Sequence, residues 1–162
     1  MSPSSAAPQP SYAERARKLV KLAPAGMLST VSRRHAGHPF GSVMPYALDE
    51  QGTPLFLISA MAVHTQNLEA DPRASLLVTP PDWSDNPLAG ERVTLMGRAA
   101  RVADDRQSVA RAAYLGRHPE ASQWADFGDF GFWWLEVADI YYVGGFGSMG
   151  WVTPAEYATA RP

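Results

Sequence analysis

The first regular pattern along the chain is helical and begins at Ser11. Ser11 and Glu14 have the three-residue spacing of a capping box, in which each satisfies a backbone N–H of the other. Apolar positions then recur at intervals of three and four residues, at Tyr12, Ala16, Leu19, Val20 and Ala23. We predict a helix that ends near Leu22, before Pro24, and whose basic face is solvated.

From Gly26 the period shortens, and runs of apolar and β-branched residues are bounded by Gly, Pro or Asp. Because sequential strands with short turns pair locally, these runs predict an antiparallel meander. The six predicted strands are Met27–Ser32, Phe40–Leu48, Leu55–Ser59, Ala74–Thr79, Arg92–Val102 and Phe130–Val143.

Helices are predicted between these strands, from about His64 to Asp71 and from Asp104 to near His118, with a short one through Trp124. Pro80–Gly90 is rich in Pro, Asp and Asn and is typical of a long surface loop. Strands in hairpin order with intervening helices indicate an α+β fold that is mainly β, an antiparallel six-stranded barrel with flanking helices.

Composition favours one domain, residues 11–162, because 162 residues with 46% hydrophobic content suffice for an apolar core. Residues 1–10 lack periodicity and are predicted to be a flexible leader. With 14 basic and 16 acidic residues, no global field favours nucleic acid or an anionic membrane. No apolar stretch approaches the roughly 18 residues of a membrane span, and we expect a cytoplasmic protein.

The common catalytic motifs are missing from the sequence. It contains no phosphate-binding glycine loop, no nucleophile elbow, no metal-ligand set and no cysteine. Redox chemistry would therefore require a cofactor. His64 stands where a strand end passes through small residues into a helix start, and unpaired N–H groups there can hold an anion. Alternatively, Thr65 or Ser59 caps this helix and His64 is an ordinary surface residue.

Two further segments are unusual for their predicted elements. Gly41 and Pro45 interrupt the second strand, which indicates either an edge bulge or a flat ligand against the strand. The glycines of 144–147 allow a close approach of backbone to a ring, or a loop with positive φ.

Taken in order, these segments resemble the pyridoxamine 5'-phosphate oxidase-like split-barrel family. The resemblance rests on Gly37–Tyr46, Ser59–Val78, Glu91–Ala99, Arg117–Ala121 and Tyr142–Gly147. It covers about residues 12–152 and is strongest to the haem-utilisation branch, whose longer members have an additional C-terminal domain. The resemblance implies a homodimer with FMN bound at the interface between the two copies.

The resemblance also implies which residues contact FMN. The helix start would hold the phosphate, the preceding turn and the second strand would follow the ring, and a second subunit would close the pocket. The cofactor-binding residues implied in this way are Ser42, Val43, Ser59, Ala60, Met61, Ala62, Val63, His64, Thr65, Asn67, Arg92, Gly145 and Phe146.

The chain departs from the oxidases at their phosphate-binding cations, because Ser42 and Ala47 stand where the family has Arg and Lys. His64 would take the place of a further Lys. The first functional hypothesis is an FMN-dependent oxidoreductase that acts on a small molecule or a reduced nicotinamide. The alternatives are a haem-binding or haem-degrading protein, with His64 or His118 as a ligand, and a non-catalytic FMN-binding module.

Overall fold

The computed structural model describes residues 9–82 and 86–162. All but the last two residues of the predicted leader, and Trp83 in the predicted loop, lie outside these ranges. The helices are α1 (Tyr12–Leu22), α2 (Val63–Ala70), α3 (Gln107–Arg117) and α4 (Pro154–Thr159), with 3₁₀ turns at Asp104–Arg106 and Pro119–Gln123. The strands are β1 (Ala25–Val31), β2 (Pro39–Pro45), β3 (Ala47–Leu48), β4 (Pro54–Ser59), β5 (Arg73–Val78), β6 (Arg92–Arg101), β7 (Phe130–Val143) and β8 (Met149–Val152).

The strands form one antiparallel sheet in the order β2-β1-β5-β6-β7-β4-β3, and β8 pairs with β7. The sheet curls into a half-barrel, so the predicted split-barrel fold is confirmed. Side chains alternate between the two faces of each strand, and the register therefore sets whole rows of residues on the inner face. One such row is fully buried across four strands and consists of Leu28, Leu76, Leu95 and Ile140.

The sheet has eight strands rather than six because the predicted second strand divides and β8 is added. Pro45 has no N–H for a ladder, and the N–H of Tyr46 donates instead to Pro24 O at 3.2 Å. The Tyr46 ring is buried, and its hydroxyl donates to Val20 O at 2.6 Å. β8 follows the glycine-rich turn after β7, and its pairing with β7 was not predicted from the sequence.

Helix α1 begins as predicted, with the reciprocal capping bonds of Ser11 and Glu14 at 2.7 and 3.2 Å. Its apolar face packs into the main core, where Ala16, Leu19 and Val20 are buried. Against another part of the sheet, α3 forms a second apolar cluster with β4 and β7. The helices thus cover apolar surface that the curled sheet leaves open.

Candidate functional site

The predicted site begins at the turn between β4 and α2, which Asp129 fixes in place. The Ser59 hydroxyl donates to a carboxylate oxygen of Asp129 at 2.6 Å and accepts from Met61 N at 3.1 Å. Ala60 N donates to Asp129 O at 2.7 Å. Ser59 is therefore engaged within the chain. Sequence reasoning did not identify Asp129, because 70 residues separate it from its partner and no local pattern connects them.

The helix that follows this turn starts without a side-chain cap. Ala62 is its N-cap residue, and neither Ser59 nor Thr65 accepts a capping bond, so the capping alternative is wrong. Among the described residues, no carbonyl accepts from the N–H of Val63 or His64. The Thr65 hydroxyl is buried and has no hydrogen-bond partner within the part of the chain that the structure describes. An unpaired buried hydroxyl costs about 1–3 kcal/mol, and this helix start therefore has unused capacity for an acceptor.

His64 is half-buried at this helix start. Burial lowers the pKa of its imidazole below the usual 6.5, and the side chain is therefore neutral at pH 7. A neutral imidazole brings no positive charge to a phosphate, but it offers a nitrogen lone pair to a metal. Met61 and Val63, which precede it in the chain, expose 78% and 49% of their surface, so apolar area is exposed at this helix start.

Asn67 lies inside the protein and ties α2 to the β1–β2 hairpin. Its amide nitrogen donates to Thr30 Oγ1 at 3.0 Å, and its amide oxygen accepts from Arg33 N at 2.9 Å. The Thr30 hydroxyl in turn donates to Phe40 O at 3.4 Å. Both ends of the amide are occupied by the chain, and Asn67 is 1% exposed. It therefore positions the helix on which His64 lies.

Ser42 and Val43 lie on opposite faces of β2. Ser42 is the register partner of the buried Leu28 and so faces the inner side, where α2 packs against β1 and β2. Val43 pairs with Met27 on the outer side and is 75% exposed. Because side chains alternate along a strand, one copy of the chain cannot present both to the same edge of a ligand.

Val43 begins a row of side chains that crosses the outer face of the sheet. The register places Val43, Met27, Leu77, Thr94, Tyr141 and Trp151 side by side on six strands. The rings of Tyr141 and Trp151 lie 4.9 Å apart, and Trp151 is 61% exposed. A row of this length at the surface that is apolar except for Thr94 is typical of an interaction site rather than of scattered surface residues.

The remaining predicted residues lie at the other end of β7. Arg92 pairs with Val143, whereas Ser59 pairs with Phe130, so the 14 residues of β7 separate the two groups. At about 3.3 Å per residue this is roughly 40 Å along the strand. One copy of the chain therefore does not bring Arg92 to the start of α2.

The turn after β7 has the predicted glycine geometry. Gly145 has a φ of +111°, and a Cβ there would lie 2.9 Å from Ala89 O. Phe146 is 76% exposed at the tip of this turn. The Arg92 guanidinium donates to Leu88 O and Gly90 O, and so it holds the preceding loop.

His118 lies apart from this region and is engaged in the second apolar cluster. Its ring is buried, and Nε2 lies 2.8 Å from Tyr46 O. Nδ1 lies 3.6 Å from a carboxylate oxygen of Glu120. With both nitrogens facing protein groups, His118 is not placed to bind a ligand. In the described ranges we also find no helix with the length and apolarity needed to cross a bilayer.

A curled antiparallel half-barrel sheet with flanking helices defines a protein of the pyridoxamine 5'-phosphate oxidase-like split-barrel class. The chain belongs to the family described as CREG, beta-barrel, which matches residues 8–159. The resemblance noted in the sequence is thereby confirmed at the level of the fold family.

The relatives of this chain include proteins named for haem. It is 41% identical over 140 residues to the chloroplastic heme oxygenase HOZ of Arabidopsis thaliana, covering 84% of this chain and 42% of HOZ. A heme binding protein from Mycobacterium smegmatis has a TM-score of 0.88 at 39% identity, covering 95% of this chain and 62% of that one. The chain thus spans about half the length of these two relatives.

A third comparison links the fold to the oxidases. A Clostridium acetobutylicum protein of the pyridoxinephosphate oxidase family has a TM-score of 0.68 at 15% identity, covering 90% of this chain and 96% of that one. At this identity the likeness shows the fold alone.

Proposed function

We propose that this chain binds haem at the start of α2, with His64 as the side chain that coordinates the iron. The observation that carries the proposal is a half-buried imidazole at an uncapped helix start that also exposes the side chains of Met61 and Val63. A neutral imidazole is a common ligand to haem iron, and a macrocycle needs apolar surface around it. The two haem-named relatives at 41% and 39% identity support this ligand class.

The residues present fit this group. The uncapped helix start leaves the N–H groups of Val63 and His64 unpaired among the described residues, and these donors suit a carboxylate. Bound haem would supply redox chemistry that the side chains lack. The chain itself would hold the imidazole in place through Asn67 and Asp129 and provide apolar contact through Met61.

A second candidate ligand is FMN, and the buried hydroxyl of Thr65 favours it. A phosphate at the start of α2 would give this hydroxyl the acceptor or donor that it lacks within the chain. The FMN-dependent oxidoreductase, with a reduced nicotinamide or small molecule as its substrate, remains a proposal on this basis. Against it stand the neutral imidazole of His64 and the missing cations at Ser42 and Ala47.

Absorbance titration separates these two ligands. We expect added haem to give a shifted Soret band that His64→Ala removes and that His38→Ala, a change in the exposed β1–β2 turn, preserves. An unchanged Soret band in His64→Ala refutes His64 as the iron ligand. If FMN binds in a fluorescence titration and haem does not, the second candidate replaces the first.

We further propose that the ligand binds in a homodimer formed through the outer row from Val43 to Trp151. Arg92, Gly145 and Phe146 lie at the far end of β7 from His64, and a second copy is the way in which they could reach the same ligand. A second copy would also cover an apolar face that crosses six strands.

Light scattering after size exclusion tests this interface. Val43→Lys places a charge at one end of the proposed contact, on the edge strand β2, and we expect it to produce monomers. Val109→Lys is the matched control, since Val109 on α3 is 59% exposed but lies away from the outer row. A monomeric wild-type protein, or equal dimer content in both variants, contradicts this interface.

A further inference from the structure

The side chains of two adjacent arginines in the β1–β2 turn, Arg33 and Arg34, have no part in the site described above. Both side chains are exposed. In residues 9–82 and 86–162, no ion pair or side-chain hydrogen bond engages either guanidinium. The two residues are alike in charge and exposure, and they differ in what their backbone contacts.

Arg33 is attached to α2, and the attachment is buried. Its backbone N–H donates to Asn67 Oδ1 at 2.9 Å, and the other end of this amide is held by Thr30 Oγ1 at 3.0 Å. Because Asn67 is 1% exposed, water does not compete for these bonds. The position of the Arg33 backbone is therefore fixed relative to the helix, and no such bond links Arg34 to α2 among the described residues.

Asn67 is also the neighbour of His64 on the helix surface. Residues three apart on an α-helix lie on one face, with about 5–6 Å between their Cβ atoms. The side chain that binds Arg33 thus stands about one helical turn from the imidazole. Arg33 carries its guanidinium on a long flexible stem that starts from this point.

The site needs a positive charge that α2 does not supply. The sequence of α2, VHTQNLEA, contains neither Lys nor Arg. Both candidate ligands carry anionic groups, the propionates of haem and the phosphate of FMN. An anion at the helix start is held more strongly when a guanidinium adds charge-assisted hydrogen bonds.

We propose that Arg33 binds the anionic group of the ligand at His64, and that Asn67 sets the position from which it reaches. This inference rests on the proposed function. In both ligands the anionic group, a haem carboxylate or the FMN phosphate, would pair with the guanidinium of Arg33. A neutral analogue of each ligand shows which of the two groups the arginine binds.

The test compares Arg33→Ala with Arg34→Ala, using haem, haem dimethyl ester, FMN and riboflavin as probes. We expect Arg33→Ala to weaken the binding of the anionic ligand roughly 10- to 100-fold, as for the loss of a hydrogen bond to a charged group. Its neutral analogue should bind both variants and the wild type equally. Arg34→Ala should change affinity by less than about threefold, as for a screened surface charge.

A double-mutant cycle tests the role of Asn67. In an Asn67→Ala background the effect of Arg33→Ala should shrink to that of Arg34→Ala. The inference is overturned if Arg33→Ala and Arg34→Ala weaken binding of the anionic ligand equally, or if Arg33→Ala weakens binding of the neutral analogue as much as that of the anionic ligand. The proposed function stands in both cases. If the wild type binds neither haem nor FMN, both the inference and the proposed function fail.

Discussion

Thr65 and Thr30 form a matched pair in which the same substitution should have opposite effects. Both are buried, at 1% and 2% exposure. The Thr65 hydroxyl has no partner, whereas the Thr30 hydroxyl accepts from Asn67 and donates to Phe40 O. Replacement by the similarly shaped Val removes the hydroxyl in each case and leaves the packing nearly unchanged.

The expected magnitudes follow from the hydrogen bonds. Thr65→Val relieves an unpaired buried hydroxyl, and the free energy of unfolding should rise by about 1–2 kcal/mol. Thr30→Val leaves the buried Asn67 amide nitrogen without its acceptor, and it should lower that free energy by about 1–3 kcal/mol. For a chain of this size each kcal/mol shifts the Tm by about 2–4 °C.

Urea unfolding of the ligand-free protein, followed by tryptophan fluorescence, measures both changes. Far-UV circular dichroism should show the same helix and strand content in the two variants before unfolding. A loss of stability in Thr65→Val refutes the reasoning, because it would mean that the hydroxyl makes a bond in the folded protein. If FMN is the ligand, Thr65→Val should also bind it more weakly than the wild type does.

Four other substitutions test the fold and the site by denaturant unfolding. Burial lowers the pKa of His64, so below pH 6.5 the unfolded chain binds more protons than the folded chain does. The free energy of unfolding should therefore fall as the pH drops through this range. The fall should be smaller in His64→Gln than in the wild type. Gly97→Ala should lower the free energy of unfolding by about 3 kcal/mol or more, because its Cβ would lie 2.0 Å from Glu136 O. Gly116→Ala should raise it by roughly 0.5–1 kcal/mol, because Gly116 lies in α3 and its Cβ would meet open space. Tyr46→Phe should lower the free energy of unfolding by about 1–2 kcal/mol, because the buried carbonyl of Val20 in α1 loses its donor. An unchanged denaturant midpoint in Tyr46→Phe or in Gly97→Ala contradicts the contact that the substitution tests. A wild-type stability that does not vary with pH contradicts the burial of His64.

The elements whose cause is local were predictable from the sequence. The capping box of Ser11 and Glu14 fixed the start of α1, and Pro72 after Asp71 marked the end of α2. The period-2 runs predicted most strands because alternation reflects one buried face. The division of the second strand at Tyr46 was not predictable, because it depends on a bond to Pro24 and on burial against α1.

The candidate site divides in the same way. The residue types at the start of α2 indicated a place for an anion, because the need for capping is visible in a local sequence. The sequence could not show that the Thr65 hydroxyl has no partner among the described residues. It also could not show that Thr30 and Arg33 occupy both ends of the Asn67 amide, or that Asp129 binds the Ser59 hydroxyl.

What the sequence determined by itself was the order of the six predicted strands and of the helices before β7, and the position of the helix start that carries His64. It did not predict β8 or α4. Only the tertiary structure decided which polar groups remain available there, since that depends on partners 34 and 70 residues away in the chain. It also decided that the outer row from Val43 to Trp151 is continuous and mostly apolar, because the register between strands is set by packing across the whole sheet.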